Sequence, residues 1–113
     1  MIGSAYAVGN TLVYGFLEKV YENALAHELV KVGLDVSRQQ PIRVYYDGVA
    51  VGDYFADLVV EDQIIIELKV VKNIDSIHLV QCLNYLKATE KKLGLLINFG
   101  QKRVEVKRVV NNF

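Results

Sequence analysis

The sequence predicts an α/β domain in which two helices lead into a β-hairpin and a further strand, followed by one helix and two closing strands, in the order ααβββαββ. Three patterns carry that prediction: apolar residues at helical spacing up to Val32, apolar-rich runs on either side of Asp47-Gly48, and a second helical stripe before two short apolar runs around Gly100. A length of 113 residues suits one domain, and a hydrophobic share of 52% with a single proline supplies a core and excludes a disordered chain.

Ile2 to Leu17 carries no charge. It is too short and too interrupted by Gly3, Gly9 and Gly15 to span a bilayer, and it lacks the basic start of a signal peptide. Ile2, Ala5, Tyr6, Gly9, Leu12 and Val13 recur at helical spacing and predict one face of a buried helix, with no membrane partner. Tyr14-Gly15 breaks it. A second helix is predicted from Phe16 to Val32, its apolar stripe formed by Leu17, Val20, Ala24, Leu25, Leu29 and Val32, with Gly33 as its C-terminal stop.

From Val36 the pattern turns to β. Strands are predicted over Arg38 to Tyr46 and Val49 to Val60, joined at Asp47-Gly48, a dipeptide that favours a two-residue hairpin turn. Pro41 places the first of them at an edge, because proline cannot donate to a ladder on both sides. A turn near Glu61-Asp62 leads into a third strand, Gln63 to Val71, apolar enough to be central. Asp75 to Lys92 reads as a helix with Leu79, Cys82, Leu83 and Leu86 facing the core, and Leu93 to Phe99 and Val104 to Val110 as closing strands. The one cysteine, Cys82, cannot staple the chain, so a reducing, cytoplasmic compartment is expected.

Function enters where charge interrupts apolar strands. In Ile64-Ile65-Ile66-Glu67-Leu68-Lys69-Val70, alternation puts Glu67 and Lys69 on one face and Ile66, Leu68 and Val70 on the other. A buried carboxylate needs a partner, and an ion pair with Lys69 is the structural explanation. Asp57 adds a second acid inside the preceding strand. An odd-numbered loop at Glu61 sets Asp57 opposite Glu67, whereas a two-residue loop sets it opposite Ile66 and turns it aside. Two facing carboxylates suit Mg²⁺, which takes about two of them and leaves positions for phosphate oxygens; the carbonyl of Leu68 is a further candidate ligand. The charge is also split: residues 1–68 hold ten acids and four bases, residues 69–113 three acids and nine bases. Such a split suits an acidic pocket beside a basic face, or two ordinary solvated surfaces.

Ala56-Asp57 followed by Glu67-Leu68-Lys69 resembles the PD-(D/E)xK nuclease superfamily. The chain is similar in particular to the GxxExxY branch, through Gly15-Phe16-Leu17-Glu18-Lys19-Val20-Tyr21, Gln81-Cys82-Leu83-Asn84-Tyr85-Leu86-Lys87-Ala88-Thr89 and Leu96-Ile97-Asn98-Phe99-Gly100. Ala56 stands where the superfamily name has proline, and Val13-Tyr14 where the branch often has a Gly-Pro-like break. The resemblance implies a restriction-endonuclease-like core, a mixed sheet flanked by helices. It implies that Asp57 and Glu67 hold Mg²⁺, with Mn²⁺ as substitute, that Lys69 positions or activates water, and that Glu18 completes the acidic site. Glu22 and Glu28 are read as solvated, and Tyr21 as a core residue.

On the third helix His78, Gln81 and Tyr85 share a stripe opposite the core. Gln81 and Tyr85 resemble the Gln-x-x-x-Tyr element of RecB-like nucleases, which lines the active site; His78 is a further candidate for substrate contact. The implied function is Mg²⁺-dependent hydrolysis of phosphodiester bonds, with DNA favoured over RNA by superfamily analogy. The alternative is a nucleic-acid-binding or adaptor module with this fold and little turnover. No recognition module accompanies the domain, so strong sequence selectivity would need a homodimer or a partner protein.

Overall fold

Helices α1 (Ile2–Leu12) and α2 (Glu18–Lys31) come first, then a sheet of β1 (Val36–Tyr46), β2 (Val49–Val60), β3 (Ile64–Lys69), β4 (Leu93–Asn98) and β5 (Glu105–Val110), with α3 (Ser76–Thr89) between β3 and β4. The structure is a computed structural model and describes residues 1–112. The expected order ααβββαββ is realised. The strands lie in the order β1-β2-β3-β4-β5, so β3 is central and the strand holding Pro41 lies at an edge, as expected. Only β3 and β4 run parallel; the other neighbours are antiparallel. A parallel step needs a crossover, and α3 supplies it.

Helices cover both faces. Tyr21, Leu25 and Leu29 of α2 and Ala5 and Val8 of α1 pack on Leu58, Val60, Ile66, Leu68, Leu95, Ile97 and Phe99. Cys82 and Leu86 of α3 pack on Val59, Ile65, Leu96 and Val109 of the opposite face. Gly94 permits that approach, since a Cβ there would lie 2.7 Å from Cys82 Sγ. Among the described residues no helix is long and apolar enough to cross a membrane.

Several boundaries and faces differ from the sequence expectations. The second helix starts at Glu18, not Phe16: Leu17 is the extended N-cap and is 81% exposed. Val32 lies beyond the last turn, exposed, and Val20 is exposed as well, so the expected stripe is rotated. The buried face is instead Tyr21, Leu25 and Leu29, which keep i, i+4 spacing. Glu22, expected to be solvated, is 2% exposed; it accepts hydrogen bonds from Lys19, Arg38 and Gln39. Gly33, with φ +91°, closes the helix as expected, and the bonds Gly33 N–H to Val30 and Leu34 N–H to Leu29 form a Schellman motif. The third helix stops at Thr89 because Glu90 turns left-handed (φ 56°).

The hairpin turn is the two-residue Asp47-Gly48, both at positive φ (54° and 76°), the geometry that matches strand twist. The β2–β3 loop is odd, Glu61 to Gln63, with Leu58 opposite Ile66 and Val60 opposite Ile64. The ladder stops at Leu58 and Ile66, one residue short of Asp57 and Glu67. The β1–β2 ladder is interrupted at the facing pair Gln39 and Asp57, where Gln39 has φ 49°. Below this break Leu58 and Val60 face α2; above it Ala56 and Ile42 face α3. The outer hairpin therefore reverses its faces at Asp57.

Candidate active site

Beyond Leu58 and Ile66 the β2–β3 pairing ends, and a side chain takes the place of the backbone acceptor. Asp57 Oδ2 accepts the Leu68 amide N–H at 2.8 Å. Its Oδ1 accepts from Gln39 Nε2 at 3.4 Å, and the same Gln39 amide donates to Glu22 Oε1 at 2.7 Å. Asp57 is thus tied both to the central strand and, through Gln39, to α2. Strand residues point N–H and C=O the same way, so the Leu68 carbonyl also faces the β2 side, while the Lys69 carbonyl is occupied by Phe99 N–H.

Glu67 is 7% exposed, and its Oε1 is buried without a hydrogen-bond partner. Burial, and next the adjacent Asp57, push its carboxyl up to about 9; Lys69 offsets part of this. The ion pair considered as the structural explanation is not formed: the salt bridges among the described residues do not include Lys69. Instead the Lys69 ammonium acts through space on Glu67, Glu18 and Cys82. The buried Cys82 thiol is pushed up to about 12 by burial and by Glu67, so it is an unreactive packing group.

Glu18, at the exposed start of α2, has its pKa raised by partial desolvation of its carboxyl and then by Asp57, with Lys69 opposing. This mutual influence brings Glu18, Asp57, Glu67 and Lys69 into one electrostatic cluster. The segment bearing Glu18 is fixed by Tyr21, which stacks on Phe99 at 4.7 Å and 7°. Its hydroxyl donates to the Val13 carbonyl (2.7 Å) and accepts the Phe16 amide N–H (3.1 Å). Val13, a β-branched residue, is held at φ 62°. It and Gln39 are left-handed without being turn acids, and both hold elements that meet at the acidic cluster.

On α3, Tyr85 and Gln81 line a groove, and the Tyr85 ring lies 5.4 Å from that of Tyr54. The Tyr85 phenol is raised by partial burial and then by Glu67, with smaller contributions from Tyr54 and Asp57, which puts it within the field of the acids. His78 does not line the groove. Its Nδ1 accepts the Asp75 N–H at 3.0 Å as half of a capping box, so its place on the stripe serves the helix start.

Gln39 and Tyr54 are not singled out by pattern, Glu22 reads in the sequence as solvated, and Asn98 enters only through the Leu96-Ile97-Asn98-Phe99-Gly100 resemblance. Gln39 has no local signal, because its role arises from a left-handed backbone between two elements. Asn98, fully buried, accepts N–H groups from Val71 and Gly100 and donates to the Val71 carbonyl, which anchors the chain just after Lys69. A polar residue in the apolar run Leu95-Leu96-Ile97-Asn98-Phe99 is the trace it leaves in the sequence.

Two carboxylates and a backbone carbonyl fit a divalent ion: a buried oxygen lacks a partner, and Mg²⁺ commonly uses only one or two protein carboxylates. Among the described residues no three His, Cys, Asp or Glu side chains gather as a metal site.

The family model of the PD-(D/E)XK nuclease superfamily matches residues 1–109. The chain belongs to this superfamily. Membership supports a nuclease, a hydrolase acting on nucleic acid, and this superfamily generally uses divalent metals. Among solved structures, the chain resembles SSO0001, with TM-score 0.63 and 16% identity over 84% of this chain and 51% of that one. It also resembles an alkaline exonuclease (LHK-Exo) from Laribacter hongkongensis, with TM-score 0.61 and 14% identity over 83% of this chain and 56% of that one. At these identities the likeness concerns the fold, and the chain spans about half the length of either structure. No curated protein matches the sequence.

Proposed function

We propose that this superfamily member hydrolyses phosphodiester bonds, in DNA by preference, with Mg²⁺ held by Asp57, Glu67 and the Leu68 carbonyl and Mn²⁺ as substitute. The observation that carries the reading is the buried, partnerless Oε1 of Glu67 beside Asp57, a pair that cannot be ionised together without a cation. A bound divalent ion supplies charge for the phosphate oxygens and makes its water more acidic.

The protein's own groups do the rest. Lys69, which forms no salt bridge among the described residues, presents its ammonium to the negative charge that develops on the phosphate and orients the attacking water. Glu18 adds a carboxyl from α2 at the same cluster. The Tyr85 phenol, whose pKa is raised by partial burial and then by Glu67, serves as a hydrogen-bond donor to substrate, with the Gln81 amide one turn away. The likeness to the GxxExxY branch is consistent with the clasp by which the Tyr21 hydroxyl joins Val13 and Phe16, just before Glu18. A cytoplasmic setting follows from the unpaired Cys82.

Cleavage assays on single-stranded, duplex and branched DNA and on RNA, with Mg²⁺ or Mn²⁺, test this reading beside Asp57→Ala. Product should require the metal and vanish in the variant. Turnover that survives Asp57→Ala rejects the site; binding without product under every condition selects the adaptor alternative.

A further inference from the structure

Between the outer β1–β2 hairpin and α3 runs an open groove of about 760 Å³, lined in part by Tyr85. The face reversal at Asp57 creates it: the even-numbered hairpin residues above the break turn toward α3, so Val44, Gly52 and Tyr54 form one wall. Gly52 lets the Tyr54 ring lie close along this wall, because a Cβ there would meet that ring at 3.2 Å. On the opposite wall Val80, Gln81 and Asn84 offer one apolar and two amide side chains. The described lining carries two cations, Arg43 and Lys87, and no acid; Arg43 is shared with Asp53 outside it.

Resting on the nuclease reading, we propose that the groove seats an unpaired DNA strand and delivers it to Asp57 and Glu67, so that single strands are preferred over duplex. The chemistry of the lining selects that occupant. A polyanion is favoured by cations without acids, and the Tyr45, Tyr54 and Tyr85 rings offer faces for bases. In a duplex those base faces are already stacked on neighbours, and only the phosphates would meet the groove. Amides of Gln81 and Asn84 suit exposed base edges or phosphate oxygens without fixing a sequence. The groove continues toward the acids along the hairpin, since Tyr54, in contact with Tyr85, and Asp57 lie three residues apart on the same strand.

Fluorescence anisotropy of the native protein in EDTA, where hydrolysis is off, measures the preference with an unpaired thymidine oligomer, a blunt duplex and an unpaired RNA oligomer. The single DNA strand should bind at least about tenfold more tightly than the duplex. Tyr54→Ala should weaken it by roughly tenfold, Tyr54→Phe should retain it, and Val80→Glu, on the exposed helix surface, should abolish it with an unchanged melt. Equal or tighter duplex binding, tighter RNA binding, or strand binding indifferent to both Tyr54→Ala and Val80→Glu overturns the inference. The two readings fail separately. Metal-dependent cleavage of duplex untouched by Val80→Glu keeps the nuclease and discards the groove; groove-dependent strand binding without cleavage does the reverse.

Discussion

Asp57 accepts the amide N–H of Leu68 at 2.8 Å, across the point where β2 and β3 separate. One carboxylate therefore completes the sheet and faces Glu67 at the same time. Asp57→Asn retains an oxygen for the Leu68 amide and removes the repulsive charge. In EDTA its melting temperature should match or exceed that of the native chain. Asp57→Ala leaves the buried amide without a partner and should cost about 1–3 kcal/mol. Mn²⁺ at a hundredfold excess over its Kd should stabilise the native protein by about 2.7 kcal/mol, with a much smaller gain in Asp57→Asn. Thermal melts with and without Mn²⁺ read all of this; no response in the native chain, with a clearly destabilised Asp57→Asn, would point to a structural site.

Glu67 predicts an unusual pH profile for the metal-free protein. Its carboxyl is raised from 4.5 to about 9, so between these values the folded chain holds a proton that the unfolded chain has released. Its contribution to stability is fully present below about 4.5 and declines as pH rises toward 9, by up to about 1.4 kcal/mol per pH unit from this group. Glu67→Gln should flatten the decline. Urea denaturation in EDTA across this range tests it, and a native profile that rises with pH while Glu67→Gln does not would contradict the assignment.

Tyr21→Phe preserves the stack on Phe99 and deletes the hydroxyl that binds Val13 and Phe16. The expected loss of stability is about 1–2 kcal/mol. If the hydroxyl also positions Glu18, kcat falls with little change in KM, and Glu18→Gln in the Tyr21→Phe background adds less than it does alone. A purely structural hydroxyl would leave the kcat of the folded variant at the native value.

Gly100 packs against the backbone of Val71, and a Cβ at this position would overlap the Val71 amide N and carbonyl O. Backbone cannot yield as a flexible side chain would, so Gly100→Ala should destabilise by about 1–3 kcal/mol and disturb the anchor that Asn98 provides after Lys69. Asn98→Ala, which leaves the Val71 amide unsatisfied, should cost a similar amount. Chemical denaturation of both variants checks these values; native-like stability in both would show that the loop has another support.

The element order was legible because local signals agree with the final fold. Asp47-Gly48 demanded positive φ twice, Gly33 the left-handed end of α2, and the run Ile64–Ile66 a strand buried on both faces. The pair Glu67 and Lys69 was legible for a related reason: charge in such a run is expensive unless the chain uses it. The buried face of α2 was misread because apolar residues occur all round it. Glu22 is buried although acidic, and Leu17 exposed although apolar, because contacts made by β1 and by the Tyr21 clasp outweigh the preferences of single residues.

Sequence alone determined the candidate acids and lysine and the strands that carry them, since strand periodicity and the cost of buried charge are local properties. It left the loop parity at Glu61 open, and with it whether Asp57 faces Glu67. Only the tertiary structure decided that parity, the reversal of the hairpin at Gln39, and the capping role of His78. The physical reason is that each depends on which backbone groups find partners across elements distant in sequence, and a one-residue shift there moves a side chain to the opposite face.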